Sequence, residues 1–175
     1  EFQAIIENIE EEGLIEREES ELIKSAVVFS DTTVDSIMVP LSDVVAIEIN
    51  ERPEIIREKL LSVKYSRLPV YIGTPDKIVG ILHSKDYLLG MLHNKPQKLK
   101  AAITPPYYIH PDTKLDALFE GLGRRRTHMA IVTDELGRAL GIVTMEDVLE
   151  ELFGEIYDED DRPAELPPEK EGPIC

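Results

Sequence analysis

The chain has a single cysteine, Cys175, at its last position, so no disulfide can form within it. The four histidines His83, His93, His110 and His128 have no partners at metal-ligand spacing, which leaves them ordinary polar roles. No apolar run approaches the ~20 residues that span a bilayer, and no signal peptide is legible. The absence of long apolar or alternating amphipathic segments also argues against a pore-forming toxin. Basic residues are scarce, 19 against 35 acidic ones, for a net charge of −16. A nucleic-acid backbone is repelled by that balance, so no nucleic-acid partner is expected. No serine, cysteine or carboxylate pair stands in a recognisable catalytic arrangement, and no enzymatic activity is expected. The chain begins at Glu1 without a methionine and reads as a fragment of a longer protein.

What is present is enough to fold. The 175 residues and a hydrophobic content of 42% suit one ordinary domain or two closely packed half-domains. Two stretches repeat each other sixty-one residues apart. Ser66-Arg67-Leu68-Pro69-Val70-Tyr71 leads on to Gly80-Ile81-Leu82-His83-Ser84-Lys85-Asp86, and Thr127-His128-Met129-Ala130-Ile131-Val132 leads on to Gly141-Ile142-Val143-Thr144-Met145-Glu146-Asp147. An internal duplication fixes the architecture before any single residue does. It predicts two similar units face to face, with ligand sites in the crevices between or beside them.

The first thirty or so residues read as two acidic helices, broken at Gly13. Phe2, Ile5, Ile6 and Ile9 form the apolar spacing of the first. Ser20 is the expected cap of the second, with Leu22, Ile23, Ala26 and Val27 as its buried stripe. The unit from 34 to 92 opens with Ile37-Met38-Val39-Pro40. It continues as a strand over 44–49, a helix after Pro53 faced by Ile55, Ile56, Leu60 and Leu61, a hairpin over 68–82, and a helix from Ser84 to Leu92. The unit assigned to 93–156 keeps the order. Ile103-Thr104-Pro105 comes first, then a short strand at Tyr107-Tyr108-Ile109 and a helix faced by Leu115, Leu118, Phe119 and Leu122. A hairpin over 129–143 and a helix from Thr144 with Val148, Leu149, Leu152 and Phe153 follow. Each unit is β-α-β-β-α, an α/β (α+β) fold preceded by helices over 1–33. Residues 157–175, acidic and then proline-rich, read as a disordered tail whose run from Asp158 to Asp161 gathers Mg²⁺ only weakly.

Gly141-Ile-Val-Thr144-Met-Glu-Asp147 ends a strand and begins a helix. The glycine permits close approach of a ligand, the helix start attracts anions, Thr144 offers a hydroxyl to a phosphate and Asp147 accepts from ribose hydroxyls. The same Thr-x-x-Asp spacing also serves as an ordinary helix cap. Arg67 either reaches across toward a polyphosphate at the second site, for which a guanidinium is suited, or stands as an ordinary exposed arginine before a strand, and Arg124-Arg125-Arg126 reads as a solvated helix end.

Leu68-Pro69-Val70 followed by a Gly-x-x-[Ser/Thr]-x-x-Asp helix start, in a β-α-β-β-α unit, resembles a cystathionine-β-synthase (CBS) domain, and two in tandem resemble a CBS pair. Ile37-Met38-Val39-Pro40 and the stretch Gly141 to Ile156 are more narrowly similar to the cytosolic region of the CNNM/CorC, or hemolysin-like, family implicated in magnesium and cobalt efflux. The resemblance implies a regulatory module that binds ATP or AMP, with Mg²⁺ as a candidate companion. It further implies a disc-like homodimer, a transmembrane domain elsewhere in the parent chain, and a place on the cytoplasmic face of the cell membrane. Carried over by position, Thr144 becomes the phosphate contact and Asp147 the ribose contact. Met129 and Ala130 become the flanks of the adenine and Tyr107 a further wall, and Met145 joins the nucleotide-binding set. The first repeat departs from the pattern: His83 stands in the threonine's place and Ser84 falls one position late, although Asp86 remains. A ligand-free dimerisation module of the same fold is the alternative.

Overall fold

The computed structural model describes residues 2–93 and 98–157. The expected tail, with its acidic run and Cys175, lies outside them.

Two helices lead in, α1 (Phe2–Glu11) and α2 (Arg17–Asp31). Gly13 sits between them at φ 72°, a left-handed conformation that costs glycine little. The start of α2 departs from expectation: Glu16, not Ser20, is the cap, and its N–H donates to Glu19 Oε2 at 3.0 Å in a capping box. Ser20 lies inside the helix and is fully buried. The expected stripe is also displaced, since Ser20, Ser25 and Phe29 are buried whereas Leu22 is 46% exposed. Two small serines let α2 lie close against α1 and the two helices of the second repeat, and a row of leucine and valine would hold them apart.

The β-α-β-β-α unit then appears twice. The first is β2 (Ile47–Glu48), α3 (Pro53–Ser62), β3 (Arg67–Ile72), β4 (Thr74–His83) and α4 (Ser84–Leu92). The second is β6 (Tyr108–Ile109), α6 (Leu115–Arg125), β7 (Met129–Thr133), β8 (Ala139–Thr144) and α7 (Met145–Tyr157). In each, the first strand runs parallel to the second across the helix, Ile47 beside Val70 and Tyr108 beside Ile131. The hairpin that follows is antiparallel.

The sequence gives no hint of what happens to the short segments that open each repeat. Strand β1 (Val39–Pro40) leaves its own repeat and pairs with β8, Val39 opposite Ile142 and Pro40 opposite Gly141. Strand β5 (Ile103–Thr104), reached through the short helix α5 (Leu99–Ala102), pairs in turn with β4 of the first repeat. The two sheets are therefore ordered β1-β8-β7-β6 and β2-β3-β4-β5, each completed by a strand from the other half. Pro40 is tolerated because it lies on an edge, where no N–H is required.

This exchange corrects the reading of the echoed glycines as room for a ligand. A Cβ at Gly141 would collide with the Val39 carbonyl oxygen, and one at Gly80 would come within 2.5 Å of the Ile103 side chain. Both glycines are matched because both halves receive a crossing strand.

Each repeat has its own core. One gathers Leu115, Leu118, Leu122, Ala130, Val132, Val143 and Val148 with Phe29 and Val34, and the other gathers Ile47, Ile56, Leu60, Leu68, Val70, Leu82 and Tyr87. A third cluster of Ile78, Ile81, Met129, Ile131 and Ala139 packs the two sheets against each other. Tyr108 adds a polar tie, donating its hydroxyl to the Ile78 carbonyl at 2.7 Å, and burial pushes that phenol's pKa up. Leu61 and Phe119, expected in the helix stripes, are instead 64% and 43% exposed. Each follows a buried residue by one position, Leu60 and Leu118, and one step rotates a helical side chain by about 100°.

Candidate functional site

Strand β8 ends at Thr144 and α7 begins at the next residue, so the turn between them is built by Thr144 itself. Its backbone N–H and its hydroxyl both donate to Asp147 Oδ2, each at 2.8 Å. The Asp147 N–H returns a bond to Thr144 Oγ1 at 3.3 Å. The N–H of Met145 is taken by the His128 carbonyl at 2.8 Å, which fixes the helix start to the residue that leads into β7. The cap and the expected ligand pair are one constellation, so the two readings of Thr-x-x-Asp do not compete.

This constellation opens into a cleft of ≈ 380 Å³, a size suited to a small organic ligand. Repeat two supplies His128, Met129, Ile142, Thr144, Glu146 and Asp147, and the crossing strand β1 supplies Val39. The opposite wall comes from repeat one through Val44, Val45 and the segment Lys64 to Arg67 with Pro69. The lining carries both signs: Lys64 and Arg67 come from repeat one, Glu146 and Asp147 from the helix start of repeat two, and Asp43 from just after β1. Lys64 and Arg67 make no ion pair among the described residues, so their charge is free to meet an anion.

Of the residues singled out from sequence, Thr144, Asp147, Met129 and Arg67 meet in this cleft. Ala130, Tyr107 and Met145 lie behind it. Ala130 is fully buried in the core of repeat two, and Tyr107 and Met145 pack against that core. Tyr107 instead carries Arg125, whose guanidinium lies 4.4 Å from the ring centroid. Arg124 pairs with Glu120, and Arg126 ends α6 at φ 53°, so the arginine triplet is an exposed helix end away from the cleft. Lys64 and Tyr65 line the cleft without having been singled out, and His128, read from sequence as an ordinary polar residue, lines it as well. Ser66 to Pro69 stand within the echo, which is the one signal that could have found this wall.

The matching turn of repeat one is built differently. His83 caps α4 without a side-chain bond, and Asp86 is exposed. Ser84 is turned away from Asp86: its hydroxyl donates to the Tyr65 carbonyl at 2.9 Å and its N–H to the Ser66 carbonyl at 3.0 Å. The threonine–aspartate pair has no copy there.

The CBS domain family model matches residues 27–93 and 99–154. The chain belongs to the CBS domain family. A hemolysin C homolog of Rickettsia rickettsii is 37% identical over 146 residues, covering 83% of this chain and 49% of the relative. The CBS domain of a bacterial CNNM/CorC family Mg²⁺ transporter in complex with ATP is 38% identical, with a TM-score of 0.72 over 78% of this chain and 97% of that one. A CBS-domain pair with bound AMP from Klebsiella pneumoniae is 28% identical, with a TM-score of 0.61 over 70% of this chain and 99% of that one. The tandem CBS pair thus resembles that of the CNNM/CorC transporters. The chain spans 26% to 49% of the length of the curated relatives it matches. Among the described residues no helix is long and apolar enough to cross a membrane, and no group of three or more His, Cys, Asp or Glu could hold a metal ion.

Proposed function

We propose that this CBS pair is the regulatory module of a membrane ion transporter-like protein and binds one adenine nucleotide, ATP or AMP, in the cleft of repeat two. The observation that carries the reading is the Thr144–Asp147 pair opening into a cleft whose far wall bears two unpaired cations, Lys64 and Arg67. Asp147 accepts from Thr144 through Oδ2 alone among the described residues, so Oδ1 is free to accept from ribose hydroxyls. Met129 and the apolar residues Val39, Val44, Val45 and Ile142 line the rest of the cleft and would receive the base. Arg67 and Lys64 would meet the phosphates, with Mg²⁺ as a candidate companion of the ligand. The ATP and AMP complexes of similar CBS domains support the same choice of ligand.

The role is regulatory rather than catalytic. Helix α7 starts at the cleft and packs along α2, which makes it the route by which occupancy reaches the lead-in helices and, in the parent protein, a transmembrane domain facing the cytoplasm. A ligand shifts such an equilibrium only by its differential affinity for the two arrangements. Thermal unfolding tests the reading. ATP or AMP, with and without Mg²⁺, should raise the unfolding temperature progressively, since a ligand at 100 times its dissociation constant adds about 2.7 kcal/mol. An unfolding temperature that stays constant at millimolar levels of both nucleotides overturns it.

One observation favours a second, compatible role as a dimerisation module. Leu61, Leu89, Leu92, Phe119, Leu149 and Phe153 leave apolar surface exposed on α3, α4, α6 and α7. A second copy of the chain is the partner we propose for those faces.

A further inference from the structure

The helix start of repeat one has given up its own cap pair, yet its serine is nearly buried, with 8% of its surface exposed. Two successive carbonyls, those of Tyr65 and Ser66, accept from Ser84 at 2.9 and 3.0 Å. Those carbonyls belong to the Lys64-to-Arg67 wall of the repeat-two cleft. Ser84 does not line that cleft. It lies on the other side of the wall, in an apolar groove shared with Leu60, Leu88 and Leu92 that also borders Lys64, Tyr65 and Ser66. At the position matched by the sixty-one-residue echo, repeat two has Met145, which lacks a hydroxyl. The backbone half of the clamp has a counterpart in the Met145 N–H bond to the His128 carbonyl, but the hydroxyl half exists in repeat one only and serves the site in the other.

We infer that Ser84 is a positioning residue for the phosphate-facing wall of the nucleotide cleft, holding the Tyr65 and Ser66 peptides so that Lys64 and Arg67 face a polyphosphate. The inference rests on the nucleotide reading above. Fixing two consecutive peptide groups removes the rotations by which this exposed connection could turn Lys64 outward. The ordering of the two cations is then met on folding rather than on binding. A monophosphate held at Thr144 and Asp147 extends less far toward that wall than a triphosphate, so the clamp discriminates between the two.

The test is the dissociation constant of ATP and of AMP, by titration calorimetry, for the wild type, Ser84→Ala and Ser84→Thr. Loss of one hydrogen bond corresponds to about fivefold. Ser84→Ala should weaken ATP by about that factor and AMP by less than twofold, with Ser84→Thr restoring ATP. An equal loss for both nucleotides marks a merely structural serine and overturns the assignment, as does no loss or a threonine that fails to restore. A wild type that binds neither nucleotide overturns the nucleotide reading itself, and with it this inference, before any variant is compared. If Ser84→Ala does not fold, Ser84→Cys, with its weak donor, carries the comparison. An intermediate ATP-to-AMP ratio is then expected, and an unchanged ratio overturns the assignment.

Discussion

Thr144 Oγ1 has one hydrogen, and Asp147 Oδ2 already accepts it. A phosphate contact therefore has to draw that hydrogen away, while the Asp147 N–H can keep its bond to the same oxygen. The exchange is cheap because one acceptor replaces another. Thr144→Ile and Asp147→Ala should each bring nucleotide affinity below detection in a titration. As cap losses they should cost only about 0.5–2 kcal/mol in urea denaturation, and retained affinity in both variants would place the site elsewhere. At Asp134 the chemistry is separate from the ligand. Its carboxylate accepts from the N–H groups of Leu136 and Arg138 and from Arg138 Nε, each at 2.9 Å. The backbone bond from Arg138 leads in holding its pKa below the ordinary 3.8, partly opposed by desolvation. Because the folded value is the lower one, this contribution is complete above the unfolded pKa and is lost as pH falls through the folded one. Asp134→Asn should consequently show a shallower fall in unfolding temperature than the wild type between about pH 5 and pH 2. Parallel curves contradict the turn's role. The hydrogen-bonded Thr144 and Asp147 pair was legible in the sequence because Thr-x-x-Asp is the spacing of a helix cap. Lys64 was not, because a lone lysine in a connection carries no pattern of its own.

At the scale of elements, the crossing strands explain the echo better than a ligand does. Gly141 faces the Val39 carbonyl, which cannot move without breaking the β1–β8 pairing, whereas Gly80 faces the Ile103 side chain. Gly141→Ala should destabilise by about 1–3 kcal/mol in chemical denaturation and cost more than Gly80→Ala; the reverse order contradicts the exchange as the cause. The repeated units, both hairpins and the limits of α4 were legible, since each carries several residues of one period. Strands β1 and β5 were not: two residues apiece hold no alternation to read, and their pairing partners lie in the other half of the chain. The start of α2 was missed for a related reason, in that a serine offers an obvious cap by residue type whereas the Glu16–Glu19 capping box closes the helix earlier.

The whole molecule presents two alike folds and unlike sites. Its exposed apolar helix faces predict that the chain is a homodimer in sedimentation, and Leu92→Glu combined with Phe119→Glu should shift it to monomer. An unchanged mass places the interface elsewhere. The net charge of −16 concentrates in the lead-in helices and beyond α7, so the cationic wall of Lys64 and Arg67 is a local exception in an acidic molecule. The exposed arginine triplet at the end of α6 is a second such exception, and on the proposed reading it is the Lys64 and Arg67 wall that draws an anionic ligand. The central claim is that only repeat two carries a complete nucleotide site, and the binding stoichiometry tests it most directly. Calorimetric titration of the chain with ATP should give one nucleotide per chain, abolished by Asp147→Ala and retained in Asp86→Ala. Two nucleotides per chain, or one that is lost in Asp86→Ala and kept in Asp147→Ala, would contradict it.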